Sequence, residues 1–223
     1  MTAPKIDPRT VPVIQVDSHL PAVEHQRLQA DALRSRFSAP PVWKPEFLAE
    51  KKFMDRQPMS AAVLLPIVLH PEPTVLLTLR TQHLSTHSGQ IAFPGGKVDE
   101  TDAGAVAAAL REAQEEIGLD AQFVEVLGQL PVYVTGSAFH VTPVVALISP
   151  GFALNPNPNE VADIFEVPLA YLMNPAHHRH HQVVWQGAQR QWLSMPYQDH
   201  LTERFIWGAT AGMLRNFYRF LLA

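Results

Sequence analysis

The chain contains no cysteine. That absence removes disulfides, thiolate zinc centres and cysteine nucleophiles together, and it accords with a reducing compartment. No apolar run approaches the ~20 residues needed to span a bilayer. Residues 1–16 lack the continuous apolar stretch behind a basic start that marks a secretory signal. Nor is there a basic excess: 17 Lys and Arg against 21 Asp and Glu leave a net charge of −4. This argues against a nucleic-acid partner, which is bound by replacing counterions on its phosphates. Internal repeats and low-complexity tracts are missing as well. The expectation is a cytoplasmic protein with neither a membrane nor a nucleic-acid partner. What the chain does have is apolar material, 47% of its 223 residues, enough for one substantial core.

The texture changes near residue 60. Before it, "PKIDPRTVPVIQVD" is proline-rich, "LPAVEHQRLQADALRSRF" reads as a short helix, and "SAPPVWKPEF" breaks it, because proline supplies no N–H and clashes with the preceding turn. Residues 1–59 therefore read as an extension and residues 60–223 as the main domain. From Ser60, "AAVLLPIVLH" and "TVLLTLR" predict two strands in a hairpin-like connection, with Pro66 favouring an edge or a bulge. "FVEVLGQLPVYV" and "HVTPVVALI" are strand-like, "VADIFEVPLAYLMN" holds a strand end and a short helix, and "QVVWQGAQRQWLSM" turns as a hairpin at Gln186-Gly187. "TERFIWGATAGMLRNFYRFLLA" has helical periodicity through Ile206, Ala209, Met213, Phe217 and Leu221. Strands and helices interleave, so the fold class is α/β in the α+β sense: a mixed sheet with helices packed on it.

One stretch stands out, "FPGGKVDETDAGAVAAALREAQEEIGL". On a helix, Val106, Ala109, Leu110, Ala113 and Ile117 form one core stripe. Glu112, Glu115 and Glu116 fall at i, i+3 and i+4 on another face, where like charges repel by roughly 0.2–0.5 kcal/mol per pair. A solvated acidic face with Arg111 as local partner explains the helix by itself. A hard cation explains it too, since magnesium takes carboxylate oxygens while bridging to substrate phosphates. The glycine pair ahead of the helix allows close backbone approach, and Asp102 is placed to cap the helix start.

The combination resembles the Nudix box, a glycine, a loop glutamate, then Arg-Glu-apolar-x-Glu-Glu-x-Gly-apolar. "REAQEEIGL" matches its helical part throughout, with Ala113 as the apolar member. In the loop, Asp102 stands at the glutamate position, and the loop is one residue longer than the common pattern. "LLTLRTQHLSTHSGQIAFPGG" looks like the segment preceding the box in coenzyme A pyrophosphatases of that superfamily, a branch that also carries the longer loop. Arg80, Gly89 and Phe-Pro-Gly-Gly are kept, Thr81 stands for a small residue, and Ser85 stands where a second arginine belongs.

The resemblance implies an α/β/α sandwich with the acidic helix on a mixed sheet. It implies metal-assisted hydrolysis of a diphosphate, with magnesium or manganese held by Glu112 and Glu116 and with Glu115 close by. Arg111 would orient the carboxylates, and Glu115 or Glu160 would serve as general base. Arg80, Gly95 and Gly96 would meet the substrate. The substrate implied is coenzyme A or a derivative; another nucleoside diphosphate derivative, or a silent binding module, are the alternatives, and a homodimer is left open. Arg80 also fits a structural salt bridge. The "HHRHH" cluster at His177–His181 reads as an exposed loop, too contiguous for a tetrahedral zinc site. His83 and His87 read as loop residues flanking Ser85. Phe205, Trp207, Met213 and Phe217 read as core.

Overall fold

The computed structural model describes residues 6–54, 56–82, 88–185, 187–200 and 202–223. Ser85, with His83 and His87 beside it, lies outside them, as does Gln186. In chain order the strands are β1 (Val13–Val16), β2 (Met59–Val68), β3 (Thr74–Arg80), β4 (Ile91–Ala92), β5 (Gly95–Lys97) and β6 (Val124–Gln129). There follow β7 (Tyr133–Val134), β8 (Phe139–Ile148), β9 (Val161–Pro168), β10 (Arg179–Trp185), β11 (Ala188–Asp199) and β12 (Thr202–Trp207). The helices are α1 (Ala30–Ser38), α2 (Ala105–Ile117), α3 (Leu169–Leu172) and α4 (Gly208–Leu222).

The apolar strands β2 and β8 lie at the centre because they pair in parallel, Met59 opposite Phe139 through to Val68 opposite Ile148. A strand covered on both faces has no need of polar alternation. Successive β2 residues still choose opposite sides: Ala62, Leu64 and Val68 join one buried cluster, Ala61, Leu65 and Ile67 the other. The first cluster is closed by Ala108, Ala109, Ala113 and Ile117 of α2. The second is closed by Leu214, Phe217 and Tyr218 of α4 and by Leu33 of α1. Each fully buried Leu, Ile or Phe contributes roughly 1.5–3 kcal/mol. The result is a mixed sheet running β4-β3-β2-β8-β6, with β5, β7 and β9 attached, between two helical layers.

A second, antiparallel sheet runs β1-β10-β11-β12. Residues before 59 are packed on this body, since Val23, Leu28 and Leu33 belong to the same cluster as α4.

Three expectations are corrected here. Pro66 sits in a central strand and not at an edge. Its ladder position falls between the residues paired to β5, Ala61–Val63, and those paired to β3, Ile67 and Val68, where no antiparallel partner demands its N–H. The C-terminal helix begins only at Gly208, because residues 202–207 form β12 against β11. Gly208 makes the change of direction with φ +62°, a conformation other residues resist. The histidine cluster is no exposed loop: His178 and His181 are buried. His178 Nε2 meets the Leu172 carbonyl at 2.8 Å, and His181 lies between the Val11 carbonyl and the Ser194 hydroxyl.

Candidate active site

Committing Ala108, Ala109, Ala113 and Ile117 of α2 to the sheet fixes where its glutamates project. The helix stops at Gly118, whose left-handed conformation lets its N–H bond back to the carbonyls of Ala113 and Gln114. The glutamates reach three different environments. Glu116 turns inward with 3% of its side chain exposed, Glu112 is intermediate at 16%, and Glu115 is open at 58%. Glu116 accepts the Gly95 N–H at 3.1 Å and faces Arg80 Nη1 at 3.3 Å. Arg111 Nη1 donates to both Glu112 and Glu115 at 3.0 Å.

Burial sets the electrostatics. It is the largest influence on Glu116 and pushes its carboxyl up to about 7, against the pull of the Gly95 N–H and of Arg80. Burial also raises Glu112, against the hydrogen bond and charge of Arg111. The charges of Glu112 and Glu160 push Glu116 higher still, and those of Glu115 and Glu160 do the same to Glu112. Glu160, just ahead of β9, is therefore within the field of the inner acids, with Asn157 Nδ2 at 3.3 Å from its carboxylate.

Gly95 has to be a glycine, and a side chain at Gly96 would displace the Glu112 carboxylate. A Cβ on Gly95 would lie 2.4 Å from the Ala62 carbonyl oxygen, and its φ of +155° belongs to a region other residues avoid. A Cβ on Gly96 would lie 2.4 Å from the Glu112 carboxylate. The glycine turn thus lets the acids of α2 lie directly against the backbone of β5.

Asp102 corrects a further expectation. It caps no helix; the N-cap of α2 is Gly104, without a side-chain bond. Asp102 instead accepts Arg111 Nε and Nη2 at 3.0 and 2.9 Å, and the Asp99 N–H at 2.8 Å. Its bonds to Arg111 hold its carboxyl below the usual range, and in return raise Arg111. Arg111 also donates to the Lys97 carbonyl at 3.1 Å. It is pinned between loop and helix, which fixes the forks that hold Glu112 and Glu115. The sequence pattern gave no signal for this link, because an irregular loop has no period from which contacts can be read.

Arg80, Gly95 and Gly96 share the wall of a cavity of about 380 Å³, within the range of small-molecule clefts. Arg80 Nε is buried without a hydrogen-bond partner among the described residues. Phe53, Phe93, Phe139, Trp207 and Met213 also line the cavity, together with polar Glu50, Gln90, Lys97, Thr135 and Ser137. Trp207, expected in the core, is one of these lining residues and only partly buried; Phe205, Met213 and Phe217 are buried.

Among the described residues, no three histidine or acid side chains converge tightly enough to cage a cation unaided. The donor set nevertheless fits a hard divalent ion that completes its shell with water or phosphate oxygens. Burial disfavours the charged form of both Glu112 and Glu116, and a bound cation would oppose that by stabilising the carboxylates.

The site is thus an acidic helix locked by an arginine and packed against a glycine turn. Residues 59–187 match the family model described as NUDIX domain, and this chain belongs to the Nudix hydrolase family. It is 43% identical over 195 residues to a protein of Salmonella dublin named "Uncharacterized Nudix hydrolase NudL", covering 87% of this chain and 95% of that one. The protein of the same name from Escherichia coli (strain K12) is 42% identical with the same coverage. Among solved structures, a Nudix hydrolase from M. smegmatis, RenU, shares 26% identity at a TM-score of 0.42, over 57% of this chain and 78% of that one. No helix among the described residues is long and apolar enough to cross a membrane.

Proposed function

We propose that the chain hydrolyses the diphosphate of coenzyme A or its derivatives, giving adenosine 3′,5′-bisphosphate and 4′-phosphopantetheine or its acyl form. One observation carries this reading. Glu116 accepts the Gly95 N–H and faces Arg80, and these two partners, with Ile91, Phe93 and Gly96, line the cavity that Glu116 itself does not line. All five wall residues belong to the segment that resembles the coenzyme A branch. In this reading residues 60–223 form the catalytic domain and residues 1–59 an extension packed on it.

Magnesium or manganese, held by Glu112 and Glu116 with Glu115 close by, would neutralise phosphate oxygens and acidify a bound water. The chain's own groups do the rest. Arg80 offers its unpaired Nε–H to a phosphate oxygen. Arg111 keeps Glu112 and Glu115 in place. Glu160 takes the proton of the attacking water, because Glu115 is already engaged by Arg111. The new phosphorus–oxygen bond forms as the bridging bond breaks, and the leaving phosphate keeps the electron pair.

A second reading, hydrolysis of another nucleoside diphosphate derivative, is favoured by Ser85 standing where the coenzyme A branch has arginine. A silent binding module is disfavoured by the retained, mutually repelling carboxylates. A magnesium-dependent assay on coenzyme A, dephospho-coenzyme A, dinucleotides and ADP-ribose separates the readings. We expect the highest kcat/KM on coenzyme A or its derivatives; a clear preference for a substrate without that moiety establishes the second.

A further inference from the structure

The cavity has two sides of different origin. One side holds Arg80, Gly95 and Gly96 and lies inside residues 59–187, the part matched by the family model. The other is supplied by Glu50 and Phe53 from the segment before β2 and by Trp207, Thr210 and Met213 from the end of β12 and α4, all outside that match. Of these residues Glu50 alone is charged, and its carboxylate accepts from the Gly136 N–H and the Tyr133 hydroxyl; Phe53, Trp207 and Met213 supply apolar surface, and Phe93 and Phe139 line the same cavity.

Phe53 is held there by several independent contacts. Its N–H donates to the Gly136 carbonyl at 2.9 Å. Its ring fills the space a side chain at position 136 would need, since a Cβ there would lie 2.5 Å from it. Arg190 stands 5.6 Å from the ring centre and donates to the Lys51 carbonyl at 2.9 Å. Glu50 accepts the Gly136 N–H at 2.8 Å and the Tyr133 hydroxyl at 3.2 Å, tying the same segment to the β7–β8 turn. The opposite flank is fixed as well, for Thr210 Oγ1 donates to the Ile91 carbonyl at 3.0 Å. Held rings of this kind suit a ligand with large uncharged faces.

We infer that these two flanking segments form a recognition wall for the uncharged, largely apolar moiety of the diphosphate substrate, with Phe53 as its central contact. The inference rests on the proposed diphosphate hydrolysis and adds the chemistry of the half that is not held at the carboxylates. That moiety is either a nucleobase or an extended amide-and-thiol arm. Both present apolar faces, and the two are distinguished by experiment.

The test measures kcat and KM of the full-length wild type, Phe53→Ala and Phe53→Leu on coenzyme A and on ADP-ribose, with melting temperatures to establish folding. Losing the burial of one aromatic contact should raise KM about tenfold while kcat stays within about twofold. Phe53→Leu, which keeps apolar bulk against Gly136, should fall between. A rise on coenzyme A alone assigns the arm to Phe53, and an equal rise on both substrates assigns the base. If the wild type hydrolyses coenzyme A and folded Phe53→Ala keeps its KM on both substrates, the wall is overturned while the proposed function stands. A wild type that turns over neither substrate defeats both.

Discussion

Two charge networks in this chain both set arginines against carboxylates and end in opposite electrostatic states. In one, Arg215 of α4 lies between Asp17 at 3.0 Å and Glu46 at 2.8 Å. His178 Nδ1 completes it at 3.0 Å from Arg215, and His180 Nε2 meets Asp17 at 2.7 Å. Burial would raise Asp17, but the bonds from His180 and Gln15 and the charge of Arg215 prevail and hold it below its usual range. His178, pushed down to about 4 chiefly by burial, is a neutral acceptor for Arg215. In the other network Arg80 and Arg111 face Asp102, Glu112, Glu115, Glu116 and Glu160, and the inner acids are pushed upward. The first network is balanced, because Arg219 at 3.8 Å from Glu46 sets a second arginine against the two carboxylates, and it joins the N-terminal segment to α4. The second is left negative, which suits a partner that arrives with positive charge. The number of carboxylates does not tell the two apart; their compensation does.

The comparison breaks most visibly at Glu116. Glu116→Gln should lower kcat by at least ~100-fold, since metal stabilisation of transition-state charge is worth several kcal/mol, while the melting temperature does not fall. Chelation should do the same to the wild type and be reversed by magnesium. Near-normal turnover by the mutant would show that Glu116 is not a ligand. Arg215→Met should give the mirror image. Removing one partner of a buried ion pair costs roughly 3–5 kcal/mol, or about 10 °C in melting temperature for a chain of this size. The fraction that remains folded should keep its kcat.

The same contrast predicts a pH dependence. With its pKa raised to about 7 from an ordinary 4.5, Glu116 is protonated more readily folded than unfolded. Its contribution to stability is complete below pH 4.5 and is lost as pH rises through 7. Metal-free protein should therefore melt about 5 °C or more lower at pH 8.5 than at pH 5. That difference should shrink in Glu116→Gln, and an equal pH slope in mutant and wild type would refute the assignment. Smaller effects are expected further out. Asp102→Ala frees Arg111 from its loop anchor, and kcat should fall about tenfold for the loss of a charge-assisted pair; an unchanged kcat would make Arg111 self-sufficient. Deleting residues 1–16 removes the edge strand β1, the Val11 carbonyl that meets His181 and the Gln15 bond to Asp17, but none of the groups around the α2 glutamates, so kcat should stay within about twofold. A folded but inactive truncation would mean that this segment completes the site.

Much of this was legible in the chain itself. The stripe of Ala109, Ala113 and Ile117 determined a helix with its acids on another face, because the 3.6-residue period is local. The glycine pair at 95 and 96 signalled close backbone approach, and the continuous apolar runs of β2 and β8 signalled strands. Other features depended on residues far apart in sequence. Nothing local distinguishes Glu116, sealed beneath Arg80, from Glu115, open to water one position earlier; that is decided by where β3 and β5 lie. His178 and His181 became interior groups only when Asp17, Val11 and Arg215 closed around them. Phe53 reached the cavity only because Gly136 leaves room for its ring. Periodicity fixes which face of an element a residue occupies, whereas burial and charge compensation depend on what folds against that face.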